Sequence, residues 1–300
     1  MLGPTASGKS AVAMAIAREA GAEILSVDSM QVYRGMDIGT AKPTPAERAE
    51  VSHHLVDLAD PEEVVTVADV QSHGRRVIEQ LGSAETPVLI VGGSGLHFRA
   101  LVDPLEFPPS DAALRQRLES LGDDEAVAAL LRADAAAGEV VDLANPRRVT
   151  RALEIHELTG RTPSDRAARP EAAAVRSYTP LVPLVAVGLD PGGALRHRVT
   201  NRFDRMLEAG LVDEVAGLAD RLGSTARNAV GYRQLVPVVA GEWTLDEGRR
   251  RSIDATTALS RRQRTFFRRD PRIRWIEWDD DVTALTRSAR TVFEEAGWTS

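Results

Sequence analysis

Gly3-Pro4-Thr5-Ala6-Ser7-Gly8-Lys9-Ser10 constrains this chain more than any other stretch. It meets the phosphate-loop pattern G-x-x-x-x-G-K-[ST] at every fixed position. The glycines permit a tight turn whose N–H groups can face phosphate oxygens. Lys9 adds positive charge, and the Ser10 hydroxyl suits Mg²⁺. The apolar run from Ala11 to about Ala20 predicts a helix whose N-terminus favours an anion. A glycine-rich turn capping an ordinary helix is the plainer alternative. With all four fixed residues in place, the motif points to a diphosphate or triphosphate ligand. Such a loop normally follows a buried strand, yet only Met1 and Leu2 precede it. The expectation is a start further upstream or a truncated central strand.

Further along, Ala22–Val27 predicts a short strand ending at Asp28-Ser29, and Pro87–Val91 a fully apolar one ending at Gly92-Gly93-Ser94-Gly95. Between them Thr66–Leu81 predicts a helix, with Thr66 capping and Asp69 in the reciprocal acidic position. Strands alternating with helices behind a phosphate loop imply an α/β fold, a P-loop NTPase-like parallel sheet flanked by helices. At Pro104, Pro108 and Pro109 the character changes to an Ala/Leu/Arg-rich helical region that runs to Gly160. Leu181–Leu189 predicts a return to strand, Leu195–Leu222 a long helical stretch, and Asp246–Arg269 another. Arg274–Trp278 predicts a last strand and Val282–Ala296 a closing helix. The division expected is 1–103 as the first part of the core, 104–176 as an all-helical insertion, and 177–300 as its completion.

The chemistry narrows by elimination. There are no cysteines, which removes disulfides, a thiolate nucleophile and Cys-ligated zinc. No apolar run reaches the roughly 18 residues of a membrane span, and no signal peptide is evident, so a cytoplasmic protein is expected. ATP or GTP chemistry usually places an Asp at a strand end to support Mg²⁺, and 88–94 has none. Lys9 and Lys42 are the only lysines, so a base-reading lysine after Lys42 is also missing. Both features favour a diphosphate site whose chemistry is not ordinary phosphoryl transfer.

Asp28 is the candidate general base, because a carboxylate at a strand end lies on the same side of a parallel sheet as the loop. A turn or cap aspartate would occupy the same place, and position alone does not choose. The run Arg261-Arg262-Gln263-Arg264-Thr265-Phe266-Phe267-Arg268-Arg269 mixes arginines with aromatics. That suits an RNA backbone and stacked bases despite the net charge of -7. A solvated helix face is its alternative. Arg147-Arg148 with Arg151 form a second basic group. Adjacent His53-His54 point different ways on any regular element, so hydrogen bonding suits them better than a metal.

Together these segments resemble the tRNA dimethylallyltransferases, also called tRNA isopentenyltransferases. The resemblance rests on 3–10, Asp28-Ser29-Met30-Gln31-Val32-Tyr33, Gly35 to Pro43, His53 to Asp57, Gly92-Gly93-Ser94, Arg148 to Glu154, Val230-Gly231-Tyr232-Arg233 and Arg261 to Arg269. It implies transfer of a dimethylallyl group from its diphosphate to N6 of the adenosine 3′ of the anticodon (position 37). The tRNAs concerned read codons that begin with U. On that pattern Asp28 takes the N6 proton, Thr5 and Arg202 assist at the diphosphate, and Gly3 to Ser10 bind it, with Mg²⁺ at Ser10. The same pattern places Asp28, Ser29, Met30, Gln31, Ser94, Arg115, Arg147, Arg148, Val149, Thr150, Arg151, Val230, Gly231, Tyr232, Arg233, Arg262, Arg264, Arg268 and Arg269 on the tRNA. It assigns 104–176 to the anticodon stem, and the family precedent is monomeric. Departures are Gly95 and His97, where the family commonly has a larger apolar residue and a tyrosine, and a slightly longer loop before Val230. An adenylate isopentenyltransferase acting on free nucleotides, a P-loop small-molecule kinase and an RNA-binding module are the competing readings.

Overall fold

The computed structural model describes residues 1–298. The phosphate loop runs into helix α1 (Lys9–Ala20), which ends at Gly21 in a left-handed conformation. Strand β1 (Glu23–Ser26) follows, then α2 (Pro45–Glu50) and β2 (His53–His54). Helix α3 (Val67–Ser83) starts on the Thr66/Asp69 capping box that its sequence predicts. Strand β3 (Val88–Val91) and α4 (Gly95–Val102) come next. Pro87 lacks an N–H, so the strand proper begins at Val88, while the Pro87 carbonyl accepts from Glu23 N at 3.0 Å.

The chain divides into two compact units, Met1–Leu101 with the chain from Pro183 onward, and Val102–Val182. The second unit is helical: α5 (Ala112–Glu119), α6 (Asp123–Ala133), α7 (Pro146–Thr159), α8 (Pro163–Ala167) and α9 (Pro170–Arg176). Its core is Leu118, Ala126, Leu130, Ala137, Val149 and Leu153. In the first unit the chain continues as β4 (Ala186–Gly188), α10 (Leu195–Glu208), α11 (Leu211–Leu218), α12 (Tyr232–Val239) and α13 (Leu245–Phe267). Strand β5 (Ile273–Trp275) and α14 (Val282–Glu295) complete it.

All strand pairs are parallel. The order is β2-β1-β3, with Ile24 opposite both His53 and Leu89, and separately β4-β5, with Ala186 opposite Ile273. Leu2 joins the two groups. It bridges Gly92 on one side and Gly188 on the other, its N–H reaching Val187 O at 2.8 Å and its carbonyl accepting from Leu189 N at 2.9 Å. With Met1, whose amino group donates to Ile90 O at 2.7 Å and whose carbonyl accepts from Gly92 N at 3.3 Å, it holds the place of a central strand. Val12, Ile16, Ile24, Leu89, Val187, Leu189, Leu285 and Phe293 form the core between the sheet and the α1 and α14 helices. Burying such side chains is worth about 1.5–3 kcal/mol each, which holds the loop-bearing end of α1 in place.

Three element boundaries differ from expectation. Leu181–Leu189 yields strand only at Ala186–Gly188, because β5 offers three paired residues and the Leu181 N–H is taken by Val102 O. Leu195–Leu222 breaks at Gly210, whose φ of 96° leaves the helical region. The last strand lies at Ile273–Trp275, not Arg274–Trp278, since pairing with Ala186–Gly188 sets its register. Among the described residues no helix is long and apolar enough to cross a membrane.

Candidate functional site

The phosphate loop is pinned from three directions. Ala6 holds a left-handed φ of 66°, unusual for a residue with a Cβ, and its carbonyl accepts from Arg198 Nε at 2.8 Å. Ser7 is fully buried, and its carbonyl accepts from Trp278 Nε1 at 3.1 Å. The Arg198 guanidinium sits over the Trp278 ring and pairs with Asp280 at 2.6 Å. Thr5 N donates to Gln263 Oε1 at 2.9 Å. Gly3 is required sterically, since a Cβ there would fall 2.2 Å from Leu189 O. Pro4 O accepts from Lys9 Nζ at 3.2 Å, and Gly8, with φ 91°, caps α1. Ser10, in the first turn, is exposed.

Two cavities meet beside this loop. The larger, about 310 Å³, is lined by Met30, Val199, Phe203, Met206, Val230 and Phe266 among others, and is mostly apolar. The smaller, about 100 Å³, holds Lys9, Ser10, Gln31, Lys42, Glu47 and His53. Thr5, Asp28, Thr40 and Arg202 line both. A carboxylate and a guanidinium therefore stand where an apolar space joins a cationic one.

Burial, then Arg202, pulls the Lys9 ammonium down to about 8, with Asp28 opposing. Burial likewise lowers Arg202, again against Asp28. Arg202 has no ion pair or hydrogen bond among the described residues. Asp28 Oδ1 accepts from Met30 N at 2.9 Å, so the turn role left open by sequence is real, while the carboxylate still lines both cavities. Gln31 is occupied within its own loop, accepting from Ser26 Oγ at 2.8 Å and donating to Thr40 O and Ala41 O. Ser29, Ser94, Val230 and Gly231 line the larger cavity, and Ser94 Oγ accepts from His97 N at 3.4 Å. His97 is buried with Nδ1 unpartnered among the described residues, and burial holds its imidazole below the ordinary value against Asp28.

The 35–43 loop is fixed by residues that sequence reasoning missed. Glu214 accepts from the N–H groups of Asp37, Ile38 and Gly39 at 3.0, 2.7 and 3.1 Å, and from the Tyr232 hydroxyl. Lys42 is buried between Asp37 at 2.5 Å and Asp57 at 2.7 Å. Nothing local in the sequence marks Glu214. His53 Nδ1 contacts Val51 O at 2.7 Å and His54 Nε2 contacts Glu23 at 2.5 Å.

The side chains of Tyr232 and Val149, both among the residues expected on RNA, are buried. Tyr232 is 0% exposed, packed over Gly39 and held by Glu214, which with burial raises its phenol above the ordinary range. Val149 is 1% exposed in the core of the helical unit. Neither side chain can meet a ligand without repacking. In that unit Arg115 and Arg151 serve the fully buried Glu154, at 3.0 and 2.5 Å, Arg148 pairs with Asp142 at 3.4 Å, and Thr150 is buried. Arg147 is exposed with no ion pair among the described residues. On α13 and beyond, Arg264 and Arg268 share Asp190 at 2.7 and 3.2 Å, whereas Arg262 and Arg269, like Arg233 on α12, are exposed without ion pairs among the described residues.

Residues 31–270 match the family model described as IPP transferase. The chain is 45% identical over 308 residues to the tRNA dimethylallyltransferase of Acidothermus cellulolyticus, covering 99% of this chain and 93% of the relative. To that of Streptomyces coelicolor it is 43% identical over 303 residues, covering 98% and 95%. The full-length tRNA isopentenylpyrophosphate transferase of Bacillus halodurans superposes with a TM-score of 0.69 at 32% identity, covering 99% of this chain and 96% of that one. A eukaryotic dimethylallyltransferase acting on tRNA shares the fold, with a TM-score of 0.78 at 21% identity, covering 97% and 76%.

Proposed function

The chain belongs to the IPP transferase family, and we propose that it transfers the dimethylallyl group of dimethylallyl diphosphate to N6 of adenosine 37 in tRNAs reading U-starting codons. The products are N6-isopentenyladenosine and diphosphate. The observation that carries this reading is the meeting of an apolar and a cationic cavity at Thr5, Asp28 and Arg202. The cationic space suits a diphosphate, and the apolar one suits an extruded base and a branched alkyl tail.

In the reaction the N6 lone pair forms a bond to the allylic C1 as the C1–O bond breaks. That electron pair leaves on the diphosphate oxygen, and the N6 proton passes to the Asp28 carboxylate. Lys9 and Arg202, poorly partnered in the free protein, donate hydrogen bonds to the charge that develops on the leaving group. Thr5 offers its hydroxyl at the same point. Ser10 would hold Mg²⁺. Ser10 lines the polar cavity beside Lys9, where its hydroxyl would be the loop's oxygen ligand to the ion. When bound, the ion neutralises diphosphate charge.

Arg262, Arg233 and Arg269, free of ion pairs among the described residues, are the phosphate contacts of the core unit, and Arg147 that of the helical unit, which takes the anticodon stem. The protein acts as a monomer in the cytoplasm. The test is incubation with Mg²⁺, unmodified tRNA and labelled dimethylallyl diphosphate. Label on the adenosine beside the anticodon supports the reading. Label on free AMP but not tRNA would make it a nucleotide prenyltransferase, and phosphate transfer from ATP a kinase.

A further inference from the structure

The turn after β3 carries two glycines that face α13. A Cβ built on Gly93 would fall 2.6 Å from Nε2 of Gln263, and one on Gly95 would fall 2.1 Å from the Phe266 ring. Gln263 and Phe266 are three residues apart on α13, so they share a face. The missing side chains form two sockets, and the helix seats one residue in each. Gln263 reaches further than packing requires. Its Oε1 accepts the Thr5 N–H at 2.9 Å, across 258 residues of chain.

That hydrogen bond falls on a particular residue. N–H groups of a phosphate loop generally face the ligand, but at Thr5 a protein carboxamide takes the donor. The Thr5 hydroxyl, by contrast, has no hydrogen-bond partner among the described residues, and Thr5 lines both cavities together with Asp28 and Arg202. Residues 261, 262 and 264 are arginines, yet the one turned to the loop is neutral. An arginine there would set donors against the Thr5 N–H and offer no acceptor.

We propose that Gln263 is a positioning residue for the transfer reaction. It anchors the Thr5 main chain to the Arg-rich helix and so aims the Thr5 hydroxyl at the oxygen of the breaking C1–O bond. This rests on the function proposed above. A residue that merely filled the Gly93 socket would act on stability alone; one that positions Thr5 acts on turnover, and only through Thr5.

The experiment compares kcat and donor KM for transfer to tRNA, with thermal melting, in wild type, Gln263→Met, Gln263→Glu, Thr5→Ala and the Thr5→Ala/Gln263→Met double variant. Methionine keeps length and volume but removes the acceptor; glutamate keeps the acceptor and adds charge beside the diphosphate. Gln263→Met should lower kcat by about tenfold or more, as misplacement of a reacting group does. The double variant should be no slower than Thr5→Ala. Gln263→Glu should recover most of the lost kcat while raising donor KM. Multiplying losses in the double variant, or an unchanged kcat in Gln263→Met, would overturn the proposal. If Gln263→Met does not fold, a Gln263→Glu protein with normal KM and depressed kcat would overturn it as well. Absence of transfer in wild type would sink the functional reading and this inference with it, whereas additivity in an active protein sinks the inference alone.

Discussion

Replacing Arg202 by methionine should raise the melting temperature of the free protein while destroying its hold on the donor. Arg202 lines the cavity that also holds Lys9, has no ion pair or hydrogen bond among the described residues, and itself depresses Lys9. At pH 7 arginine is charged and Lys9, at about 8, is mostly so. Two cations therefore share the field of one carboxylate, Asp28. An orphaned buried charge can cost about 3–5 kcal/mol. Arg202 is partly open to the cavity and Asp28 offsets some of that penalty, so its relief should amount to about 1 kcal/mol. Methionine preserves the apolar stem, and a gain of this size raises the melting point by about 2 °C in a chain this long. The donor feels the opposite. Losing one partner of a desolvated charge contact costs about 2–5 kcal/mol, roughly thirtyfold or more in Kd. Wild type at a hundred times Kd should gain about 2.7 kcal/mol from ligand, and the variant about 0.9 kcal/mol or less at that concentration. Melting in an anion-poor buffer, with and without dimethylallyl diphosphate, reads both effects, and calorimetry gives Kd. A lower melting point in the free variant, or a donor-induced shift equal to wild type, would refute the reasoning.

Asp28→Asn keeps an acceptor for the Met30 N–H, so it should leave tRNA affinity near wild type while kcat falls by about 10²–10⁴; equal losses in both would count against a base. Arg262→Ala should flatten the salt dependence of tRNA binding by a little under one unit of the log–log slope, and Arg264→Ala, tied to Asp190, by less. Identical slopes would move RNA elsewhere. In the helical unit, burial alone would raise the Glu154 carboxyl, but hydrogen bonds from Arg151, the Asp111 N–H, Ser110 and Arg115 outweigh it and hold the group at about 2, below its ordinary 4.5. A depressed carboxyl stabilises fully above about pH 4.5 and loses that contribution as pH falls toward 2. The shift corresponds to at most about 3 kcal/mol, and because both arginines open to solvent roughly 1–2 kcal/mol remains. Glu154→Gln should therefore unfold more readily at pH 7, and its gap from wild type should close between about pH 4.5 and 2. A gap that stays constant in acid melts would exclude this assignment.

How much of the site could be read in advance depends on how far apart its parts lie along the chain. The phosphate loop was legible because its glycines, Lys9 and Ser10 act within eight residues, and Asp28 because a strand end in a parallel sheet places it beside that loop. Glu214, Asp190, Trp278 and Gln263 were not, since each acts on residues far off in sequence: Glu214 on the 37–39 N–H groups, Asp190 on Arg264 and Arg268, and Trp278 and Gln263 on the loop itself. The same distance explains where the fold departs from the sequence pattern. The arginine run reads in sequence as a basic patch, whereas in the fold Asp190 pairs with two of its members, Arg264 and Arg268. Val149 and Tyr232 lie inside contiguous recognisable segments that the resemblance assigns to RNA, yet both side chains are buried. A helix, however, turns successive residues to different faces: Val149 joins Leu153 in the core, while Arg147, two positions earlier, stays in solvent. Contiguity in a motif therefore does not say which of its residues face a ligand; the fold decides that. Gln263 makes the same point from the other side. Between arginines it reads as a gap in a basic patch, and its meaning emerges only when the helix is laid against Gly93 and the Thr5 N–H.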